Sequence, residues 1–193
     1  MSTPKTFNRL NFFRDNLPRR YRPCTFDTLR THPGNRAAIT AAKALPASEN
    51  LFIHGPAGNG KTHLAIATGQ AFAATGLHVE FWGVAELFAT IRRSFNDALV
   101  TAPNLLLPDI LILDDIGKTK PSEWVTQEIY AALEGRWADE RTTILTANHD
   151  PLTVAESLTP DSATVGAIVS RLSSGITIEV TGADERTSKG GPK

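Results

Sequence analysis

The chain has 193 residues, about one domain, of which 41% are hydrophobic and 21% charged, a balance that suits a folded core and excludes a disordered chain. Lys plus Arg equals Asp plus Glu at 20 each, which excludes a protein coated with nucleic acid over its whole surface but not a local basic patch. One cysteine, Cys24, excludes an internal disulfide or a zinc cluster of several cysteines, and with neither a signal peptide nor the ~20 apolar residues of a membrane span, a soluble cytoplasmic setting is expected.

Charge is uneven along the chain. Residues 1–36 hold Lys5, Arg9, Arg14, Arg19, Arg20, Arg22, Arg30 and Arg36 against Asp15 and Asp27, a balance of +6 that leaves −6 for the remainder. Phe7, Phe12, Phe13, Tyr21 and Phe26 are interleaved with these charges. The segment reads as an arm that docks either on its own domain or on a partner. The expected division is a basic arm over 1–20, a core over 21–181 and a polar, flexible tail over 182–193.

From Ala37 the texture changes. Ala37–Leu45 is helix-like, and Leu51–His54 is a short apolar strand. Thr62–Ala74 is Ala-rich and helical, stopped near Gly76. Leu77–Trp82 reads as a strand, and Val84, Leu87, Phe88, Ile91 and Phe95 share one helical face. Ile110–Leu113 is an apolar run of the fully buried type. Ser122 is an expected N-cap for a helix whose apolar stripe is Val125, Ile129, Leu133 and Trp137. Thr142–Thr146 is a buried strand, Val165–Leu172 a short helix and Ile176–Val180 a last strand. Strands alternating with helices predict a three-layer α/β/α domain with a parallel sheet, whose ligands bind at the carboxyl ends of the strands.

The chemistry sits after those strands. Gly55-Pro56-Ala57-Gly58-Asn59-Gly60-Lys61-Thr62 fits G-x-x-x-x-G-K-[ST] between a strand and a helix. Glycines let backbone N–H groups curl around phosphates, and the following helix points its positive end at the same anion. Lys61 supplies a charge for the β- and γ-phosphates of ATP, and the Thr62 hydroxyl a ligand for Mg²⁺. Ile110-Leu-Ile-Leu-Asp114-Asp115 delivers two acids at the same edge. Asp114 is the expected second Mg²⁺ ligand, and Asp115 the group that orients or deprotonates an attacking water. Asn148, after the third buried strand, is placed to hydrogen-bond that water or the γ-phosphate. Arg171, on an otherwise apolar helix, must reach a surface or an anion. It is either an arginine finger for a neighbouring subunit or one half of a structural ion pair. His54 and His63 flank the loop without metal-ligand spacing, and His63 is grouped with the cofactor-binding residues. Trp82, Trp124 and Trp137 read as packing residues, and Arg92 and Arg93 as a solvated face.

These strings resemble the DnaC/IstB group of AAA+ ATPases, a group of replicative-helicase loaders and transposition helpers. The resemblance lies in Leu51–Ala65, Ile112–Gly117, Thr143–Asn148 and Ile168–Leu172, with Tyr21–Asp27, Asn35 and Ala38 similar to the segment leading into the nucleotide site. It implies ATP and Mg²⁺ binding, ATP hydrolysis, self-association with an Arg supplied in trans, and action on single-stranded or distorted DNA; a core that covers the nucleotide from one side only is expected to hydrolyse ATP weakly as a monomer. The expected protein partner is a replicative helicase, or alternatively a transposase. Many AAA+ proteins add a helical lid bearing an Arg after the core. None is expected here, and Arg186 is the residue that could stand in for its Arg. Two rivals remain: a P-loop small-molecule kinase, against which Asp115 and Asn148 speak, and an adaptor that binds ATP without hydrolysing it.

Overall fold

The computed structural model describes residues 8–182. Lys5, Phe7, Arg186 and the tail beyond Gly182 lie outside the described residues. Five parallel strands, β1 (Leu51–His54), β2 (Val79–Gly83), β3 (Ile110–Ile116), β4 (Thr142–Ala147) and β5 (Ile176–Glu179), are ordered β2-β3-β4-β1-β5. Seven α-helices accompany them: α1 (Arg9–Asn16), α2 (Arg36–Ala44), α3 (Lys61–Ala74), α4 (Val84–Asn96), α5 (Glu123–Ala138), α6 (Pro151–Leu158) and α7 (Ser162–Leu172). Among the described residues no helix follows β5, and none is long and apolar enough to cross a membrane.

Alternation along the strands builds two cores. Leu51, Ile53, Ile110, Ile112 and Ile144 face one side, where they meet α1, α2 and α3. Phe52, Leu111, Leu113 and Leu145 face the other, where they meet α4, α5, α6 and α7. The period of two along a strand requires this separation, and burial on both faces explains why Leu51–Ile53 and Ile110–Leu113 read as unbroken apolar runs.

Helix α3 is buried almost all round, which accounts for its small side chains. A Cβ on Gly69 would stand 2.6 Å from Ile112 Cδ1 and 3.2 Å from Phe13 Cζ, so glycine is what lets α3 lie between the sheet and α1. Phe13 and Leu17 are each 2% exposed, and Arg14 Nε donates to Gln70 Oε1 at 2.5 Å. The described part of the basic arm therefore docks on its own domain. Its helix, absent from the sequence expectation, is capped by the Asn8 side chain accepting from the Asn11 amide.

Three details depart from expectation. Helix α6 was not predicted; Asp150 caps it and Pro151 opens its first turn. Ser122 occupies the N-cap of α5 without a side-chain capping bond. Trp137 does not complete the buried stripe, being 47% exposed, and Phe95 is 59% exposed, edge-on to Trp124 at 3.9 Å.

Arg136, fully buried, fixes the edge of the sheet opposite its carboxyl ends. It donates to the carbonyls of Leu105 (3.0 Å), Pro108 (2.8 Å), Asp109 (3.1 Å) and Thr142 (2.6 Å) and to Thr143 Oγ1 (3.0 Å). Burial among these neutral acceptors lowers its pKa to about 10. Arg136→Ala would orphan those carbonyls, so a loss of about 3 kcal/mol or more is expected. Thermal melting should fall by roughly 6–12 °C, and a midpoint within ~2 °C of wild type would contradict this role.

Candidate functional site

Strand β1 ends at His54 and the chain enters the glycine-rich loop. Gly55, Gly58 and Gly60 take φ of 135°, 81° and 90°, values that side chains with a Cβ rarely adopt. Gly60 is the left-handed N-cap of α3, so the free N–H groups of that helix open at the loop. Lys61 is 7% exposed, and its Nζ donates to the carbonyls of Gly55 (2.8 Å) and Pro56 (2.7 Å) and to Asn59 Oδ1 (3.3 Å). A Cβ on Gly55 would stand 2.1 Å from the Val180 carbonyl oxygen, so the end of β5 lies directly against the loop. The Asn59 side-chain amide donates to that same carbonyl.

The acids arrive from β3. Asp114 Oδ1 accepts from Thr62 Oγ1 and from Thr146 Oγ1, each at 2.7 Å. One carboxylate oxygen thus joins the first turn of α3 to the ends of β3 and β4. The register of β3 on β4 shifts between Leu113 and Ile116. Within that irregularity Asp115 takes φ of 67°, a conformation that costs free energy in a non-glycine residue. The Asp115 amide donates to Thr146 Oγ1 at 2.9 Å. Its carboxylate accepts from Asn148 Nδ2 at 3.2 Å and pairs with Lys118 Nζ at 2.9 Å.

Thr62, Asp114, Asp115 and Asn148 are therefore brought together at the carboxyl edge of the sheet. Thr62 and Asp114 form an all-oxygen pair of the kind Mg²⁺ uses, one carboxylate and one hydroxyl completed by phosphates and water. His63 does not face the loop backbone. Its Nε2 lies 2.9 Å from the Thr25 carbonyl and 3.2 Å from Thr28 Oγ1, which ties α3 to the segment that precedes α2. That segment also meets the end of β5, where Thr181 N donates to the Gly34 carbonyl at 3.0 Å.

Arg171 lies elsewhere. It lies in the last turn of α7, shortly before Ile176, which pairs with Leu51 at the start of β1, whereas the loop follows the end of β1. Arg171 thus sits toward the amino edge of the sheet, and its partner is Glu134 on α5. Within the subunit Arg171 is ion-paired, and it is not brought to the loop. Thr146 and Lys118 went unnoticed in the sequence. A hydroxyl at a strand end and a lysine three residues past an acid are too common to stand out before the fold brings them to Asp114 and Asp115.

A family model described as IstB-like ATP binding protein matches residues 37–189. The chain belongs to this family. The replicative helicase loader DnaC of Buchnera aphidicola subsp. Acyrthosiphon pisum is 30% identical over 141 residues, 67% of this chain and 57% of that protein. An insertion sequence ATP-binding protein of Sinorhizobium fredii is 30% identical over 138 residues, 70% and 46% of the two chains. The chromosomal replication initiator DnaA of Lactobacillus johnsonii is 28% identical over 177 residues, 84% and 36%. The chain thus spans between about a third and somewhat over half of these relatives. Among solved structures, DnaI superposes with a TM-score of 0.73 at 24% identity, covering 89% of this chain and 95% of that one. AMPPCP-bound DnaA from Aquifex aeolicus gives 0.68 at 24%, covering 86% and 51%. The fold is that of an AAA+ P-loop NTPase, and the family is an ATP-binding one.

Burial raises the Asp114 pKa above the ordinary carboxylate value, opposed by the hydroxyls of Thr146 and Thr62 and by Lys61, and reinforced by Asp115. Raised in the fold, this group favours folding while protonated, and that stability is lost as pH rises through its folded pKa. Asp114→Asn keeps the accepting Oδ1 and removes the charge. It should therefore melt higher than wild type at neutral pH without nucleotide, and gain less from added ATP and Mg²⁺. A lower melting point than wild type would show that the carboxylate charge stabilises the fold.

Proposed function

We propose that this protein is an ATPase that assembles with copies of itself and acts in DNA replication on a replicative helicase, on single-stranded DNA, or on both. The observation that carries the ATPase reading is the convergence of Thr62 and Asp114 at 2.7 Å, with Asp115 held by Asn148 beside them. Mg²⁺, when bound with ATP, would neutralise charge on the phosphates. Lys61 exchanges the loop carbonyls for β- and γ-phosphate oxygens, and Thr62 and Asp114 are the residues that would hold the metal. Asp115 takes the proton of a water whose oxygen bonds to the γ-phosphorus as the bond to the β-bridging oxygen breaks. Asn148 fixes the Asp115 carboxylate for that transfer. A kinase needs no water-activating acid at this place, so the Asp115–Asn148 pair speaks for hydrolysis.

Arg171 lies toward the amino edge of its own sheet and cannot serve its own loop, which supports a role at the loop of a second copy. There it would meet the γ-phosphate in an interface drier than bulk water, where its charge counts for more. The helicase-loading reading draws on the DnaC relative and the initiator relative. The second reading, help to a transposase, draws on the family description and the insertion sequence relative. Co-purification with a replicative helicase supports the first, and co-purification with a transposase in its place supports the second. Stimulation of turnover by single-stranded DNA tests the DNA partner.

Asp115→Asn should retain binding of ATP with Mg²⁺ and hydrolyse at least ~100-fold more slowly, the scale of a general base; near-normal turnover would remove that role. Lys61→Ala and Arg171→Ala should each be slow alone, the first from weak ATP binding and the second with binding intact. Mixed, they should regain part of the rate, because one mixed interface pairs an intact loop with an intact arginine. Demonstrated co-assembly without recovered turnover would confine Arg171 to its ion pair.

A further inference from the structure

Glu134 and Trp137 stand one turn apart on α5, on neighbouring positions of one helix face, and both engage the Arg171 side chain. Arg171 Nε donates to Glu134 Oε2 at 2.5 Å and Nη2 to Glu134 Oε1 at 2.8 Å. The guanidinium carbon lies 4.0 Å from the centre of the Trp137 ring. The carboxylate therefore takes the Nε–Nη2 edge of the planar fork, and the indole covers one of its faces. Nη1 makes a single 3.5 Å contact, with Ser170 Oγ, among the described residues. A guanidinium has a second two-donor edge, Nη1 with the remaining Nη2 hydrogen, and that edge matches two phosphate oxygens.

We propose that Glu134 and Trp137 form a cradle that presents the Nη1–Nη2 edge of Arg171, already oriented, to the nucleotide of a second copy of this chain. The proposal rests on the trans-acting reading of Arg171 given above and adds the two residues that position it. An unsupported arginine must give up its rotamer freedom when an interface closes, whereas one clamped on an edge and a face has done so beforehand. The bidentate geometry of the Glu134–Arg171 pair fixes the orientation of the guanidinium as well as its position. Trp137 is 47% exposed, and a half-exposed tryptophan beside an arginine is the composition of an interface hot spot. Glu134 and Trp137 touch neither nucleotide nor water in this scheme and are positioning residues.

The cradle predicts a defect that travels with the arginine. At protein concentrations where turnover per chain has reached its plateau, Glu134→Ala should lower kcat by about tenfold and leave KM for ATP unchanged, a misplacement effect and not a binding effect. Glu134→Gln keeps a neutral acceptor and should recover much of that loss. Glu134→Ala mixed with Lys61→Ala should regain activity, because the impaired arginine is then replaced by an intact one from the other chain. Trp137→Phe, which keeps an aromatic face, should act more mildly than Trp137→Ala. Wild-type kcat in Glu134→Ala and Trp137→Ala while Arg171→Ala is slow would overturn the cradle and leave the trans-acting arginine in place. Wild-type kcat in Arg171→Ala itself would overturn the reading beneath it. Should Glu134→Ala melt below the assay temperature, Glu134→Gln and Trp137→Ala decide, and normal kcat in both would reject the proposal.

Discussion

The architecture turns on one buried carboxylate oxygen. Asp114 Oδ1 accepts hydroxyl hydrogens from Thr62 at the head of α3 and from Thr146 at the end of β4, so three elements are pinned at one atom. Burial disfavours its ionised form, and the hydroxyls and Lys61 draw it back. A charge kept out of water between two hydroxyls is costly to the fold. The irregularity of β3 that follows turns Asp115 out of the ladder into the reach of Asn148 and Lys118.

A second set of contacts binds the rest of the chain to the loop. Asn59 reaches the Val180 carbonyl, Thr181 bonds to Gly34, and His63 bonds to the Thr25 carbonyl. Gln70 donates to the carbonyls of Arg22 and Cys24 at 3.1 and 2.8 Å. Each such bond contributes on the order of 1 kcal/mol. Together they make the segment over 22–34, α3, the loop and the end of β5 one mechanical body. The loop is therefore tied by hydrogen bonds to both ends of the described chain.

Much of this was legible from residues alone. Strands β1 and β3 announce themselves because burial on both faces makes them continuous apolar runs, and β4 because β-branched Thr and Ile dominate it. The glycine loop is legible because its conformation demands glycine at fixed places, and Asp114 and Asp115 because they end an apolar run. Helix α1 was hidden by a reading of the arm through its charges, although Phe13 and Leu17 are four apart and both buried. Helix α6 was missed despite the Asp150-Pro151 start, since eight residues carry little periodicity. Trp137 and Phe95 kept to their predicted faces, but a periodic pattern tells which way a side chain points and not whether anything covers it. The partners of Arg171 and Arg136 were illegible for a different reason: Glu134 lies 37 positions from Arg171, and the carbonyls around Arg136 have no signature in side-chain identity. The family resemblance held, since the matched family and the superposed structures agree with the motifs that suggested it.

If the site is completed by a second copy, turnover belongs to the assembly and not to the chain. The most direct test is the rate of ATP hydrolysis per chain, at saturating ATP and Mg²⁺, followed over a wide range of protein concentration. The predicted result is a slow rate at high dilution that climbs with concentration to a plateau, in step with the appearance of higher-mass species. A rate per chain that is fast and flat across the whole range, with the protein monomeric throughout, would contradict completion of the site in trans.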